Sequence, residues 1–404
     1  MGDDRPVPLT KGAAVGDLEF SPFDRAIHED PFSVYTRLRA EAPIYHNPDL
    51  DFWALSRHAD VTAALPDSAL YSNAYGPTLD KEVWGSDAER VLSIVAMDPP
   101  RHTALRALIN KWFTPRRVAL LEDRIREIAL GHLEPALERG AFDFATDFSG
   151  PLPLDVISEM IGVPDVDKAF VRNYGSTMMI RRAGEGVSDE QAQAGMTLIE
   201  YYSAFIAERR KGPLGDDLLS VLMTELGDGE IVAFLLLLIG AGSETTTHLL
   251  GSAWYWAWRF PDEREKAFSG RIKDWVEETL RYDSPAAGVA RRLTADHELH
   301  GTKIPAGARM WLLLTSANRD ERVFPDPDRF DLDRDTTAMV TFGVGRHYCV
   351  GSALGRLEAK VALEALVARV SSAYEIDPAG IRRLRSSNVR GFASLPTVVE
   401  ARSL

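Results

Sequence analysis

The one cysteine of the chain, Cys349, stands in a glycine-rich segment, Phe342–Gly351, directly before a stretch with helical spacing. Free backbone N–H groups and the dipole at the start of a helix favour the thiolate form of a cysteine. The thiolate is the form that binds metals and attacks electrophiles, so this position could do chemistry. The glycines permit backbone conformations with positive φ. A glycine-rich turn with an incidental thiol is the alternative interpretation.

Polar residues also interrupt the most apolar run of the sequence, which begins at Ile231. They lie in Ala241–Thr246, inside a helix that the spacing of apolar residues predicts over 229–259. A threonine can turn its hydroxyl toward the i−4 carbonyl and loosen the helix locally, and for Thr245 that carbonyl belongs to Ala241. An ordinary polar patch on a helix face is the alternative.

The cysteine segment resembles the cysteine-loop signature of the cytochrome P450 family. The matching positions are Phe342, Gly343, Gly345, His347, Cys349 and Gly351. The resemblance implies a mainly α fold with small β-sheets, and a haem b group (iron protoporphyrin IX) between the long central helix and the helix after the cysteine. Cys349 would be the axial ligand to the iron, and Phe342 would shield its sulfur from water. Residues 20–404 would form one domain after a flexible segment, residues 1–19.

The segment Ala241–Thr246 resembles the family's oxygen-binding kink. The resemblance implies that Thr245 and Glu244 deliver the protons that dioxygen activation consumes, and that Ala241 faces the haem. Glu244 stands where many members of the family carry aspartate.

Four basic side chains match family positions that bind the haem propionates. His102 and Arg106 lie at i and i+4, so both can point at one anionic group. Arginine suits a carboxylate because its planar fork bonds both oxygens. Arg291 matches a further propionate arginine, but the adjacent Arg292 leaves that register open by one residue. His347, two residues before the cysteine, is the fourth candidate.

Glu278 and Arg281 match the family's Glu-x-x-Arg pair, and their i, i+3 spacing places both on one helical face. The resemblance implies that Arg329, in the downstream segment Asn318–Phe330, completes a buried network with this pair. The network would support the haem pocket structurally and would have no catalytic role.

Composition excludes several other functions for this chain of 404 residues. A net charge of -14 argues against nucleic-acid binding, which needs basic surfaces, and favours low self-association. A single cysteine excludes an internal disulfide and zinc sites built from several thiolates. Met1–Thr10 lacks the apolar core of a signal peptide, and Ile231–Gly242 is shorter than the ~20 residues that cross a bilayer. We therefore expect a cytoplasmic monomer without a membrane anchor.

The resemblance implies a monooxygenase that inserts one atom of dioxygen into an organic substrate. The chain holds no flavin domain and its one cysteine cannot hold a four-cysteine cluster, so we expect electrons from NAD(P)H through a ferredoxin reductase and a ferredoxin. Basic side chains on the cysteine side of the haem would steer an acidic ferredoxin. These are Arg101, Lys111, Arg116, Arg117, Arg346 and Arg356.

The positions expected around the substrate are mostly apolar. They predict a mainly apolar substrate of small to medium size that carries a ring. Such a substrate would belong to natural-product biosynthesis or to the catabolism of aromatic or terpenoid compounds. Arg181 and Arg182 could anchor a substrate carboxylate, although solvated charge is the more ordinary explanation. Counting back from Thr245 along the helix gives Ala241, Leu237 or Leu238, and Phe234. The resemblance adds the walls Ala287 to Val289 and Val389 to Phe392, and a roof of residues 75–84 and 178–180.

Two other functions stay open. A peroxide-driven haem-thiolate enzyme would often lack the acid–alcohol pair, so Glu244 and Thr245 argue against it. A catalytically silent haem-binding or sensor protein would be expected to carry damage in the segment around Thr245, and the segment is intact.

Overall fold

The computed structural model describes residues 18–180 and 186–400. Helices dominate these residues because apolar side chains recur at helical spacing. The α-helices are α1 (Arg25–Glu29), α2 (Phe32–Glu41), α3 (His58–Ala64), α4 (Ala88–Leu92), α5 (Arg101–Asn110), α6 (Pro115–Ala119), α7 (Glu122–Arg139), α8 (Pro151–Ile161), α9 (Asp165–Met178), α10 (Asp189–Arg209), α11 (Leu218–Leu222), α12 (Asp228–Arg259), α13 (Pro261–Phe268), α14 (Ile272–Tyr282), α15 (Leu314–Ala317) and α16 (Ser352–Arg369).

Proline and glycine set many of the helix ends. Pro151 and Pro261 occupy the first positions of α8 and α13, where a helix loses nothing by a missing N–H. α7 ends at Gly140 and α8 at Gly162, both in the left-handed conformation that favours glycine. α3 ends before Pro66, as the sequence predicts.

The strands are short and gather into small sheets. They are β1 (Ile44–Asn47), β2 (Phe52–Leu55), β3 (Tyr71–Ser72), β4 (Ala141–Asp143), β5 (Val289–Leu293), β6 (His297–Leu299), β7 (Thr302–Ile304), β8 (Arg309–Leu312), β9 (Glu375–Ile376), β10 (Arg382–Arg383), β11 (Phe392–Ser394) and β12 (Pro396–Val398). The largest sheet has the order β1-β2-β8-β5-β3, and β5 runs antiparallel to β8. The predicted class, mainly α with small β-sheets, is confirmed.

The long helix α12 forms the centre of the fold. It packs against α8, α10, α14 and α16, and most of its side chains are buried. By length and hydropathy alone, α12 could also cross a membrane, but half of its most apolar window is buried inside the protein. That burial is typical of a core helix.

α16 begins at Ser352, three residues later than the predicted start at Cys349. The cysteine therefore belongs to the loop that leads into α16, and Gly351 is the N-cap residue. Residues 67–95 have few periodic apolar positions, and they contain β3, α4 and a 3-10 turn over Ser93–Ala96.

Candidate functional site

The cysteine segment forms a tight loop ahead of α16. Gly343 and Gly345 have φ values of 72° and 78°, conformations that favour glycine. A Cβ on Gly345 would also lie 2.6 Å from the Cβ of Pro66, so this position needs a residue without a side chain. The N–H of Cys349 donates to the carbonyl of Phe342 at 2.8 Å, which closes the loop.

The thiol of Cys349 lies on the wall of an enclosed cleft. The side chain is accessible to solvent, yet burial within the surrounding protein raises the pKa of the thiol. The backbone N–H of Gly351 and the charges of Arg106 and Arg356 act in the opposite direction on the same pKa. An accessible atom that is surrounded mainly by protein lines a cleft and not the outer surface.

Phe342 is held in place beside the cysteine by an arginine. The guanidinium carbon of Arg356 lies 4.4 Å from the centre of the Phe342 ring. Arg356 itself donates to both carboxylate oxygens of Glu277, at 2.6 and 3.0 Å. This chain of contacts fixes the ring at the base of the loop.

The middle of α12 carries the predicted hydrogen bond from a threonine to its own helix. The Thr245 hydroxyl donates to the carbonyl of Ala241 at 3.0 Å, as predicted. The Ser243 hydroxyl also donates to a carbonyl of its own helix, that of Ile239. Bonds of this kind loosen a helix and commonly bend it. The side chain of Glu244, between the two hydroxyl groups, is buried.

One row of α12 opens onto accessible space. Leu237, Ala241 and Thr245 follow one another at intervals of four residues and therefore lie on one face. Ala241 is exposed and the other two are partly accessible, although α12 packs against helices on several sides. The middle of α12 therefore borders accessible space inside the fold.

The neighbouring row of α12 faces the core. Phe234 and Leu238 are buried, and the row continues to Gly242. A Cβ on Gly242 would lie 2.8 Å from the Cδ1 atom of Ile157 in α8, so this face packs against α8. Of the predicted alternatives Leu237 and Leu238, Leu237 is therefore the accessible one, whereas Leu238 and Phe234 are buried.

The four predicted propionate ligands come together. The rings of His102 and His347 lie 4.0 Å apart. Burial, followed by the nearby charges of His102 and Arg291, lowers the pKa of His347 to about 3, and burial lowers the pKa of Arg291 to about 10. Both ring nitrogens of His102, Nε2 of His347 and Nε of Arg291 are buried without a hydrogen-bond partner in the described residues. Arg106 completes the cluster and lies near enough to Cys349 for the thiolate charge to favour its cation.

Strand alternation settles the register of Arg291. Neighbouring residues of β5 point to opposite faces of the sheet. Arg291 points toward His347, whereas the guanidinium of Arg292 lies 4.4 Å above the ring of Tyr75. Arg291 is therefore the member of the cluster, as predicted.

The Glu-x-x-Arg pair is buried, but its third partner differs from the prediction. Arg281 donates to both oxygens of Glu278, at 2.7 and 2.8 Å. Arg334 lies 3.3 Å from Glu278 with its side chain 8% exposed, whereas the Arg329 side chain is 63% exposed. The N–H of Asp331 donates to Glu278 at 3.0 Å and brings the following residues to the network. The prediction is wrong for the Arg329 side chain, although the carbonyl of Arg329 accepts hydrogen bonds from Arg281 and Arg334. Arg334 is the residue that sequence reasoning missed.

Comparison with known proteins decides the family. The model of the cytochrome P450 family matches residues 272–377. Cytochrome P450 123 of Mycobacterium tuberculosis is 46% identical over 401 residues, which cover 96% of this chain and 99% of that relative. The chain belongs to the cytochrome P450 family. This P450 is a monooxygenase, the activity by which its relative PikC of Streptomyces venezuelae is named, with 34% identity over 94% of this chain and 93% of that protein.

The fold of this P450 also matches solved structures. The crystal structure of CYP109E1 from Bacillus megaterium in complex with testosterone aligns with a TM-score of 0.82 and 30% identity. The alignment covers 91% of this chain and 99% of that chain.

The residues of this P450 fit a haem group. The buried nitrogens of His102, Arg291 and His347 need anionic or acceptor partners, because an unmet buried donor costs free energy. Propionate carboxylates meet that need. The accessible thiol of Cys349, beside Arg106, is the donor type that haem iron takes in this class. α5, β5 and the cysteine loop together carry the residues that would hold the group.

Two of the predicted substrate walls meet in this P450. The N–H of Ala287 donates to the carbonyl of Asn388 at 2.9 Å, and Ala286 forms a β-bridge with Val389. Val289, on the strand that follows, is half-buried. The segments 286–289 and 388–389 therefore form one continuous surface.

Phe392 does not belong to that surface. Its ring centre lies 4.8 Å from that of Tyr255, and the guanidinium carbon of Arg383 lies 4.0 Å above it. Its Cδ2 atom also lies 3.5 Å from the Cβ position of Gly251 in α12. The prediction that Phe392 lines the pocket is wrong because the side chain packs in the core.

The predicted roof touches α12 through Met179. The sulfur of Met179 lies 3.2 Å from the hydroxyl oxygen of Ser243. Arg181 and Arg182, the candidate anchors for a substrate carboxylate, lie outside the described residues.

The predicted basic patch is largely neutralised. Arg101 pairs with Glu89 and Glu230, Lys111 with Glu225, Arg117 with Asp216, and Arg356 with Glu277. Arg116 and Arg346 are exposed and form no ion pair with any described residue. The sequence could not show that these cations are paired, because partners such as Arg101 and Glu230 are far apart along the chain.

Proposed function

We propose that this monooxygenase binds haem b through the Cys349 thiolate and hydroxylates, epoxidises or dealkylates a small, mainly apolar organic substrate. The proposal depends on one observation: the accessible thiol lies close to the cluster of four basic residues. Arg106 belongs to the cluster and also acts on the charge of Cys349. A dianionic macrocycle with a thiolate-binding iron satisfies both features with one ligand.

The protein contributes the ligand and the support for it. Cys349 would donate to the iron as a thiolate, which the adjacent Gly351 N–H and Arg106 favour. His102, Arg106, Arg291 and His347 would hold the propionates. When bound, the haem activates dioxygen, and the electron-rich thiolate favours O–O cleavage.

Thr245 and Glu244 would supply protons. Insertion of one oxygen atom into a C–H bond consumes one dioxygen, two electrons and two protons, and the second oxygen atom leaves as water. The Thr245 hydroxyl lies on the accessible row of α12, so it can pass a proton into the cleft. Glu244, the buried neighbour of Thr245 in sequence, would then return a proton to the Thr245 hydroxyl.

Electrons would come from NAD(P)H through a ferredoxin reductase and a ferredoxin. Arg116 and Arg346 are the unpaired cations on the proposed docking face and would attract an acidic ferredoxin. The paired cations of this face attract the ferredoxin less strongly, because a carboxylate of the protein already neutralises each of them. We further propose that the protein is a cytoplasmic monomer in which residues 20–404 form one domain.

The proposed substrate is mainly apolar and carries a ring. Leu237 and Ala241 on α12 and Ala287 and Val289 opposite are apolar, so burial of hydrophobic surface would drive binding. The structural relative CYP109E1 was solved with testosterone, a ligand of that kind. Such substrates occur in natural-product biosynthesis and in the catabolism of aromatic and terpenoid compounds.

The test is a spectral titration that follows the haem spin state. Matched series of apolar aromatics, terpenoids, fatty acids and polar sugars or nucleotides would be added to the haem-loaded protein. We expect tight spin-state shifts with ring-bearing apolar compounds, and loss of those shifts in Ala241→Phe, which fills the cleft. Shifts with the polar series alone, undisturbed by Ala241→Phe, would contradict the proposal.

A further inference from the structure

Residues 73–85 connect β3 to α4 and join the two predicted walls of the substrate pocket. The carbonyl of Pro77 accepts a hydrogen bond from the N–H of Ala290 in β5 at 2.7 Å. At the other side, Asp80 accepts from the hydroxyl of Ser387 at 2.9 Å. α4, which follows directly, packs against α12. This loop therefore spans from the large sheet to the segment around residue 388.

Two arginines of like charge face each other beneath this loop. Arg292 of β5 stands directly opposite Arg309 of β8 in the antiparallel register. Like charges at opposite positions of paired strands destabilise a sheet. No carboxylate in the described part of the chain forms an ion pair with either side chain. Nε of Arg309 is buried without a partner, and burial lowers the pKa of this arginine. The charges of Asp51 and Asp80 favour the Arg309 cation from a longer distance. Contacts of another kind offset the rest of the repulsion between the two guanidinium groups.

Aromatic rings of the loop occupy that place. The guanidinium carbon of Arg292 lies 4.4 Å from the centre of the Tyr75 ring, and that of Arg309 lies 5.2 Å from the Trp84 ring. The two rings are 5.8 Å apart. The order is thus arginine, tyrosine, tryptophan, arginine, with the cations on rigid strands and the rings on the loop. The faces of the rings attract the cations. Arg309 also donates to the carbonyl of Leu79 in the loop.

We propose that Arg292, Tyr75, Trp84 and Arg309 form a clamp that holds residues 73–85 closed over the substrate pocket and sets the rates at which molecules enter and leave. The inference rests on the proposed function, because it takes this loop as part of the pocket's roof. The four side chains are positioning residues and take no part in the chemistry. A cation–π contact is worth about 0.5–1 kcal/mol at a partly exposed site, so loss of one contact should speed opening about two- to fivefold.

The test compares Trp84→Leu and Arg309→Lys with the wild type in the haem-loaded protein. Lysine keeps the positive charge but loses the planar stacking of arginine. Two quantities are measured: amide hydrogen exchange over residues 73–85, and the association and dissociation rates of phenylimidazole, followed through the Soret band. We expect faster exchange in this loop and both rates raised about two- to fivefold, with a nearly unchanged Kd.

Trp53→Leu is the matched control. The Trp53 ring stacks on His46 at 4.1 Å across β1 and β2 of the same sheet, and it packs against a different hydrophobic cluster from Trp84. This variant should leave exchange over 73–85 and both rates unchanged. Wild-type exchange in both clamp variants, or equal effects in Trp53→Leu, would overturn the clamp. Faster exchange with unchanged rates would overturn its gating role. Wild-type protein that loads haem but gives no Soret shift with phenylimidazole would instead contradict the proposed function.

Discussion

The hydroxyl of Thr245 donates a hydrogen bond to the carbonyl of Ala241, 3.0 Å away, in the middle of the long helix α12. Both residues lie on the one row of α12 that opens onto the cleft. The carbonyl belongs to an unbroken stretch of helix, and the bond fixes the hydroxyl beside accessible space. An alcohol in this position can pass a proton to a bound reactant without leaving the helix.

We expect Thr245→Ala to bind substrate and consume NADPH but to divert electrons to hydrogen peroxide or water. Loss of a positioned proton donor typically costs a factor of about 10²–10⁴ in the proton-transfer step. Thr245→Ser keeps a hydroxyl and is the control, with coupling close to the wild type. The measurement is product formed per NADPH oxidised. Full coupling in both Thr245→Ala and Glu244→Ala would show that these groups do not deliver protons.

Arg334 and Arg329 offer a matched pair of variants for the buried network. Arg334→Ala should lower the free energy of unfolding by about 1.5–3 kcal/mol, because it removes the second of two cations from the buried carboxylate of Glu278 while Arg281 stays paired with it. Arg329→Ala should change it by less than about 0.5 kcal/mol, because that side chain is mostly exposed. Urea unfolding of the haem-loaded protein distinguishes the two. Equal losses in the two variants would contradict the assignment of Arg334.

Glu358 of α16 should make stability fall as the pH rises. Burial raises the pKa of its carboxyl well above the usual value, and Oε2 is buried without a hydrogen-bond partner. Above about pH 4.5 the unfolded chain loses this proton while the folded protein keeps it. This group therefore lowers stability by up to about 1.4 kcal/mol per pH unit, until the pH reaches its pKa in the folded protein.

Glu358→Gln should remove that contribution, because the amide is neutral at every pH and similar in size. Near pH 4.5 the variant and the wild type should have similar free energies of unfolding. As the pH rises to 7.5, the free energy of unfolding of the variant should become larger than that of the wild type. Urea unfolding at several pH values measures the difference, and Glu358→Ala controls for the loss of packing. A difference between Glu358→Gln and the wild type that stays constant with pH would refute the prediction.

The unpaired cations on the proposed docking face should control reduction. Arg116→Glu and Arg346→Glu should lower the second-order rate of reduction by an acidic ferredoxin about tenfold at low ionic strength. Lys111→Gln should lower the rate of reduction less, since the Lys111 amine already lies 3.3 Å from the carboxylate of Glu225. Stopped-flow reduction under carbon monoxide measures the rates. Rates independent of ionic strength in all variants would argue against electrostatic docking here.

Local patterns predicted the helices and the cysteine loop well. α12 and α14 follow from continuous helical spacing, and the turn at Gly343 and Gly345 follows from residues that tolerate positive φ. The family resemblance also pointed to the basic cluster, with His102 and Arg106 on one helical face. It left Arg291 and Arg292 open, and the alternation of β5 in the structure decided between them.

Rotation of elements and long-range pairing could not be predicted in the same way. Leu237 and Leu238 are equally apolar, and only the packing of α8 against Gly242 decides which one faces the cleft. Arg329 and Arg334 share an irregular segment without periodicity, and only the folded path of that segment brings Arg334 to Glu278 and to the carbonyls of Asp326 and Arg329.

The most direct test of the central claim is the spectrum of the reduced carbon-monoxide complex. If Cys349 is the axial ligand, the wild type should show the red-shifted Soret band of a thiolate-bound haem. Cys349→Ala should lose that band, while circular dichroism still reports the wild-type helix content. A Cys349→Ala protein that keeps the red-shifted band would contradict thiolate ligation by this residue, and with it the proposed site.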